Sequence, residues 1–179
     1  MNGLESMLIP GRECGECTVC CVTPRIEEFQ KPENVACKEL KAGGGCGIYT
    51  SRPDVCRDWY CMWRIMPQLD DSWRPDKCRI LLRLGEHGEL VFLPLGWPLE
   101  VLTTYQALQV IASLIMANIP VSIAVPGKVG HYSAKLDLNR SMSGVLESGS
   151  FLEVQGAMSE LVSYAMQHPT EPVKGVGKG

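Results

Sequence analysis

The sequence has no surplus of positive charge: 17 Lys and Arg stand against 20 Asp and Glu, which gives a formal net charge of −3. Proteins that bind nucleic acids neutralise phosphates with a basic surface, so this composition argues against a nucleic-acid partner. Histidine is also scarce, with three residues in 179. We interpret His87, His131 and His168 as surface residues. Hydrolytic zinc sites usually combine His or carboxylate ligands with an open position, so this chemistry is not expected.

Several signatures of enzymes are missing as well. No glycine-rich strand–turn–helix segment predicts an S-adenosylmethionine site, and the Cys-x3-Cys-x2-Cys triad of radical enzymes does not occur. The Gly-Lys pair near the C-terminus lacks the longer glycine-rich run of a P-loop. No constellation of residues therefore predicts catalysis, and we expect a protein that is not an enzyme.

No segment has the composition of a membrane span. The stretch 101–127 carries no formal charge, but it contains Asn118 and Pro120 among other polar residues, which favours a buried helix followed by a strand. The first residues contain Glu5 and no basic region, so we do not expect a secretory signal. These features predict a cytoplasmic protein without membrane contact.

Cysteine is absent after residue 78, and all nine cysteines lie within the first 78 residues. In the reducing cytoplasm, a dense cysteine pattern indicates metal or redox chemistry rather than a disulfide scaffold, and the odd number disfavours complete pairing. The first 50 residues contain few apolar side chains, so hydrophobic burial cannot hold them together. Thiolates bound to a metal would supply the missing cross-links.

The spacing of the cysteines narrows the kind of site. Cys14-x2-Cys17 is the spacing of a metal knuckle, and its extension to Cys20 has the three-cysteine spacing of bacterial ferredoxin clusters. Cys20 and Cys21 are adjacent, and side chains of adjacent residues diverge in an extended chain, so they seldom serve one small ion. The predicted ligands number eight, enough for two four-thiolate sites or for one cluster plus one ion: Cys14, Cys17, Cys20, Cys21, Cys37, Cys46, Cys56 and Cys61.

Two further expectations concern the surroundings of these ligands. We interpret the ninth cysteine, Cys78, as a core thiol at the start of a strand. Four thiolates around Zn²⁺ or around a [4Fe–4S]²⁺ cluster leave a negative surplus of about two charges. Basic residues near the cysteines in sequence can offset this surplus through charge-assisted hydrogen bonds, and the candidates are Arg12, Arg25, Arg52, Arg57, Arg64, Lys77 and Arg79.

The sequence predicts an α+β fold in a single domain, 1–179. An irregular, metal-stapled, cysteine-rich N-terminal half with one helix would pack against a β-hairpin and two longer helices. The metal-binding region would cover 11–65, the α+β remainder 77–167, and a flexible tail 168–179. The predicted elements are a helix over 53–65, strands over 78–84 and 90–95, a helix over 99–118, a strand over 121–125 and a helix over 151–167.

The cysteine pattern also resembles a known family. Cys14-x2-Cys17-x2-Cys20-Cys21, followed by Cys37 and by CGIYTSRPDVCRDWYCMW over 46–63, resembles the bacterial CxxCxxCC cysteine-cluster family, which includes the YkgJ-like proteins. Arg52 and Pro53 match the family's Arg-Pro pair. The resemblance covers roughly residues 11–65 and implies that the eight cysteines chelate zinc or iron. Some similar domains occur in flagellin lysine methylases.

Two readings of the function stay open at this point. The first is a metal-binding protein that holds zinc or iron through cysteine thiolates, with a remainder that binds a protein partner or handles the metal. The second is an iron–sulfur protein that transfers electrons, or a component of a modifying enzyme such as a protein lysine methylase. The repeated x2 spacing favours a cluster, whereas a split into tetrahedral four-thiolate sites favours zinc. We expect iron or an iron–sulfur cluster as the physiological occupant, and zinc in protein prepared in air.

Overall fold

The computed structural model describes residues 4–57, 59–128 and 131–172. The chain divides after Cys78 into two compact units, each with its own organisation. Across these described residues, seven α-helices and a four-stranded sheet make a mixed, α+β structure. Within the described ranges, no helix is both long enough and apolar enough to span a bilayer.

The first unit consists of short elements joined by loops. Its α-helices have four residues each: α1 (Val19–Val22), α2 (Asp54–Arg57) and α3 (Pro75–Cys78). Five 3₁₀ turns accompany them, at Glu5–Met7, Glu27–Phe29, Tyr49–Ser51, Met62–Arg64 and Asp71–Trp73. Most of the buried apolar side chains of this unit come from the segment 62–73. The cysteine-rich loops before it therefore have little hydrophobic support of their own.

The helix predicted over 53–65 is wrong in its extent. The observed helix α2 ends at Arg57, Cys61 has extended backbone dihedrals, and a 3₁₀ turn follows at Met62–Arg64. All three residues of that turn are buried. A continuous α-helix buries one stripe of its surface, so it cannot bury three consecutive side chains as a tight turn does. The burial of this segment thus overrides the local helical pattern.

The second unit is built on a mixed sheet with the order β1-β2-β3-β4. Its strands are β1 (Ile80–Leu84), β2 (Leu90–Pro94), β3 (Val121–Val125) and β4 (Ala134–Asp137). β1 and β2 form the predicted antiparallel hairpin, β2 and β3 are parallel, and β3 and β4 are antiparallel. The predicted hairpin and the predicted strand over 121–125 are confirmed, whereas β4 was not predicted.

The first strand starts two residues later than predicted. Cys78 ends helix α3, and Arg79 has a positive φ of 59°, which turns the chain before Ile80 begins the strand. A left-handed backbone conformation is uncommon for a residue with a side chain, and neither strand nor helix can continue through it. The prediction that Cys78 begins a strand is therefore wrong. The Cys78 side chain is only half-buried.

The helix predicted over 99–118 is two helices, α4 (Pro98–Leu102) and α5 (Tyr105–Met116). Thr104 separates them as the N-cap of α5, because its Oγ1 accepts a hydrogen bond from the Ala107 backbone N–H at 3.2 Å. Threonine hydroxyls compete with helical backbone hydrogen bonds in this way and favour caps.

Two helices complete the second unit. Helix α6 (Leu138–Leu146) was not predicted and begins behind Asp137, whose carboxylate accepts from the backbone N–H groups of Asn139 and Arg140. Helix α7 (Phe151–Gln167) has the predicted bounds. The strands β2 and β3 are buried along their whole length, and the helices pack on them around a core that includes Phe92, Leu102, Ile111, Ile123, Met142 and Met158.

The segment that follows α7 is bound to the rest of the second unit as far as residue 172. The Tyr132 backbone N–H donates to the carbonyl of Glu171 at 3.0 Å, and Nδ1 of His131 lies 2.5 Å from the carbonyl oxygen of Thr170. Residues 173–179 lie outside the described residues, so the flexible tail stays a prediction for them.

Candidate metal centre

All nine cysteines are free thiols. Cys17 and Cys37 are buried, with 9% of each residue exposed, and the other seven are half-buried. Within the residues that the structure describes, no three His, Cys, Asp or Glu side chains converge closely enough to form a ready-made metal site. The positions of the cysteines relative to one another nevertheless follow a clear pattern.

The first two cysteines lie on a tight turn that leads into α1. The Cys17 backbone N–H donates to the Cys14 carbonyl at 2.9 Å, and Gly15 between them has a φ of 53°. This is the backbone turn that the x2 spacing predicts for a metal knuckle. Helix α1 then carries Cys20 and Cys21.

We assign four of the cysteines to one set on the basis of their electrostatic interactions and call it group A: Cys14, Cys17, Cys20 and Cys61. Cys20 and Cys61 both interact electrostatically with Cys14 and Cys17. Burial raises the pKa of the Cys61 thiol to about 11 and also raises the pKa of Cys17. A metal that binds here must displace protons, so its affinity depends on pH.

The remaining four predicted ligands form group B: Cys21, Cys37, Cys46 and Cys56. Cys56 interacts electrostatically with each of the other three. The Cys37 backbone N–H donates to the Cys21 carbonyl at 2.9 Å, and Cys46 is bridged to Leu40 in an antiparallel pair. Backbone hydrogen bonds thus tie the loops that carry this group.

The two groups meet at Cys20 and Cys21. The Cys20 thiol donates a hydrogen bond to the Cys21 sulfur, which raises the pKa of Cys20 well above its ordinary value and lowers that of Cys21 to about 7. The expectation that the two sulfurs diverge assumed an extended chain, but these residues lie in a helix, where successive side chains are about 100° apart. The two thiols interact with each other, while their other thiol neighbours belong to different groups.

The loop before Cys46 packs directly on the turn that carries Cys14 and Cys17. A Cβ atom on Gly44 would lie 3.1 Å from the carbonyl oxygen of Glu16, and one on Gly45 would lie 3.3 Å from that of Gly15. Both glycines have positive φ angles, of 90° and 80°. Glycine permits this approach of one backbone to another, and it brings the loops of groups A and B together.

Group A has a buried cation, Arg64, which is 8% exposed. Its Nη1 atom lies 3.6 Å from the Cys14 sulfur and also donates to the Tyr49 hydroxyl at 3.2 Å. Its Nε–H is buried and has no hydrogen-bond partner in the described part of the chain. The guanidinium thus presents donors to a group of thiols, where negative charge develops when they ionise.

Group A also has an acidic neighbour. Asp76 accepts a hydrogen bond from the Cys17 thiol, and its pKa is lowered chiefly by Arg74, which donates to both carboxylate oxygens at 2.7 and 2.6 Å. The arginine balances the carboxylate, so this ion pair adds no net charge beside the group.

Group B has its own buried cation, Lys31, which is 5% exposed. Its Nζ atom donates to the carbonyl oxygens of Val22, Pro24 and Pro32 at 2.7, 2.5 and 3.1 Å. It interacts electrostatically with Cys37 and Cys21. Sequence reasoning missed Lys31, because only the folded loop brings it to cysteines that are ten and six residues away in the chain.

The basic residues named from the sequence have different roles. Arg52 stacks on the Tyr49 ring, 3.8 Å from its centroid, and interacts electrostatically with the thiols of group B. Arg12 donates to the carbonyls of Trp63 and Met66 at 2.5 and 3.0 Å, so it holds the segment 63–66. The exposed Arg57 and Arg79 pair with Asp54 and Glu100 at 2.8 and 2.7 Å and are ordinary surface charges.

The donor atoms of both groups suit a thiophilic metal. Each group offers four sulfurs, which is the ligand number of tetrahedral zinc and of a cubane or two-iron cluster. Sulfur ligands select zinc, copper(I) or iron–sulfur clusters over magnesium and calcium. The close backbone packing at Gly44 and the buried cations Lys31 and Arg64 are further features that a negatively charged thiolate site requires.

Cys78 ends helix α3, and its Sγ lies 3.4 Å from the carbonyl oxygen of Trp73, to which it donates a hydrogen bond.

No protein-family model, curated protein or solved structure matches the chain.

Proposed function

We propose that the protein binds metal through two adjacent four-thiolate sites, one formed by group A and the other by group B. The observation that carries this proposal is that the electrostatic interactions of eight cysteines divide them into two groups of four, which are linked by the interaction between Cys20 and Cys21. A metal bound at these sites would cross-link loops that bury few apolar side chains. The resemblance to the CxxCxxCC family supports the same ligands.

The residues around the sites have defined tasks in this proposal. The eight thiolates ligate the metal, Gly44 and Gly45 allow the loops to wrap closely, and Lys31 and Arg64 offset the negative charge. The bound zinc or iron would supply structural cross-linking and, in an iron–sulfur cluster, an electron carrier. A reducing compartment such as the cytoplasm suits this function because thiols stay reduced there.

The second candidate function is electron transfer through an iron–sulfur cluster. The ferredoxin-like x2 spacing and the buried indoles of Trp63 and Trp73, close in sequence to Cys61 and Cys78, favour it. A role as a component of a modifying enzyme, for example in protein lysine methylation, rests on the family resemblance alone. A protein partner for the second unit stays a prediction.

Anaerobic purification followed by metal analysis, sulfide analysis and absorption spectroscopy tests the proposal. We expect thiophilic metal bound in stoichiometric amount, with both groups filled. A brown, reducible sample with about four irons supports a cluster, and a colourless sample with one or two zinc ions excludes electron transfer. A folded protein that takes up neither zinc nor iron, after reconstitution with each, would refute metal binding altogether.

A further inference from the structure

We propose that Arg64 and Lys31 are fixed buried cations, one for each thiol group, and that they make the two metal sites chemically different. Arg64 acts on group A through a direct N–H···S hydrogen bond, whereas Lys31 acts on group B through space. This inference rests on the proposed function, since it assigns the residues that tune the two thiolate sites.

The guanidinium of Arg64 is placed to donate to sulfur. Its Nη1 lies 3.6 Å from the Cys14 sulfur, and its Nε–H is a buried donor with no acceptor in the described part of the chain. A buried N–H without an acceptor is costly in a neutral environment. A metal-bound thiolate is a stronger hydrogen-bond acceptor than a thiol. Group A therefore offers Arg64 a better acceptor when it holds metal.

The ammonium of Lys31 is arranged differently. An ammonium has three N–H donors, and the three carbonyl oxygens of Val22, Pro24 and Pro32 accept one each. No donor is left for a sulfur of group B. The positive charge still interacts most strongly with Cys37 and Cys21, ahead of Glu33 and the group A thiol of Cys20. Because Lys31 is buried, water screens these interactions only weakly.

Because the two thiol groups are neighbours, the cations affect the electrostatic cost of filling both sites with metal. Each site of four thiolates and Zn²⁺ carries a surplus of about two negative charges, and the groups include adjacent, interacting residues, Cys20 and Cys21. Filling one site therefore raises the electrostatic cost of filling the other. A cation on each side lowers this cost. Removal of one cation should weaken the site that it serves more than the other site.

Two variants test the assignment, each with a matched control. Lys31→Met removes the buried ammonium, and Lys38→Met makes the same change at an exposed lysine beside Cys37. Arg64→Lys keeps a positive charge but replaces the guanidinium, and Arg57→Lys does so at an exposed arginine beside Cys56. Each protein is loaded anaerobically with zinc or with cobalt(II). Zinc release to a chelator and the thiolate-to-cobalt charge-transfer bands are then measured.

We expect two phases of zinc release. Lys31→Met should accelerate one phase about tenfold and Arg64→Lys the other by a similar factor, as found when outer-shell partners of metal ligands are removed. The affected cobalt bands should shift to longer wavelength, because loss of a nearby donor or cation raises the energy of the sulfur electrons. In a Cys61→Ser background, which retains group B, Lys31→Met should still accelerate zinc release, whereas Arg64→Lys should leave the rate unchanged.

Three other outcomes distinguish a failure of this inference from a failure of the proposed function. If the wild type takes up two metals and both variants release them at the rates of their controls, the roles of Lys31 and Arg64 are refuted and metal binding stands. If each variant accelerates both phases equally, the cations act by general loosening, and the assignment to separate sites is wrong. If the wild type takes up no metal, the proposed function fails and the inference falls with it.

Discussion

Cys56 and Cys61 lie five residues apart in the chain, yet they belong to different thiol groups. Cys56 interacts with Cys37, Cys46 and Cys21, and Cys61 interacts with Cys14 and Cys17. The chain leaves its helix at Arg57 and has extended dihedrals at Cys61, so the two sulfurs are carried by different local structures. This segment therefore supplies one ligand to each proposed site.

Single serine substitutions at these two positions should each disable one site. We expect Cys56→Ser to lose the metal of group B and retain that of group A, and Cys61→Ser to do the reverse, because serine oxygen is a poor ligand for a thiophilic metal. Metal analysis of the anaerobically purified variants measures this. Loss of both metals, or of neither, from both variants would contradict the division into two groups.

Cys17→Ser should remove the metal of group A and loosen the turn that carries Cys14 and Cys17, because Cys17 is buried and the loops around it have little apolar support. Hydrogen exchange, resolved by segment, should show lost protection over 14–17. Cys78→Ser is the matched control: serine can also donate to the Trp73 carbonyl that the Cys78 thiol contacts. Full metal content and native protection in Cys17→Ser would show that Cys17 is not a ligand.

Gly44→Ala should weaken metal retention. Gly44 has a φ of 90°, and an added Cβ would lie 3.1 Å from the Glu16 carbonyl oxygen, so the loop before Cys46 must move away from the Cys14–Cys17 turn. We expect a loss of stability of about 1–3 kcal/mol and faster zinc release to a chelator. Gly43→Ala is the control, because a Cβ there meets no atom within 4 Å. Equal behaviour of the two variants would argue against a tight contact at Gly44.

Acid should destabilise the second unit through Glu89. A hydrogen bond from Lys135 is the main reason why the pKa of this carboxyl falls from 4.5 to about 2. The pKa of Glu89 is lower in the folded state than in the unfolded state. The stabilisation from its ionised carboxylate is therefore complete above about pH 4.5 and is lost as the pH falls toward 2. Since Lys135 is 45% exposed, we expect only about 1 kcal/mol.

Urea unfolding at several pH values measures this contribution. Glu89→Gln should flatten the acid limb of the stability profile, and Glu86→Gln, an exposed residue of the same turn, should leave it unchanged. An unchanged acid limb in Glu89→Gln would show that the ion pair does not contribute.

The core of the second unit should be sensitive to truncation at Met158. This side chain is fully buried in α7, so Met158→Ala should lower the free energy of unfolding by about 2–5 kcal/mol. Met116→Ala is the matched control, since Met116 is 74% exposed. Urea denaturation of both variants checks this. A smaller effect at Met158 than at Met116 would contradict the packing of α7 on the sheet.

The strongest local patterns led to correct predictions. The hairpin turn over 85–89, the short strand over 121–125 and the C-terminal helix all have local signals that agree with the fold. The prediction failed where a single side chain or a buried turn decided the outcome. Thr104 splits one predicted helix in two, and a buried 3₁₀ turn at Met62–Arg64 replaces the last part of another. Helix α6 was missed although Asp137 provides a recognisable N-cap before Leu138.

The sequence alone determined the composition on which the proposal rests: eight cysteines at spacings typical of metal ligands, few apolar residues around them, and a conventional α+β remainder. Residue spacing carries that information because it fixes how many thiols a short loop can present. Only the tertiary structure decided which thiols interact with one another and that Lys31 and Arg64 are buried cations. Those relationships join residues as many as 50 positions apart, such as Arg64 and Cys14. They follow from how loops pack on one another, and no local pattern in the chain records that packing.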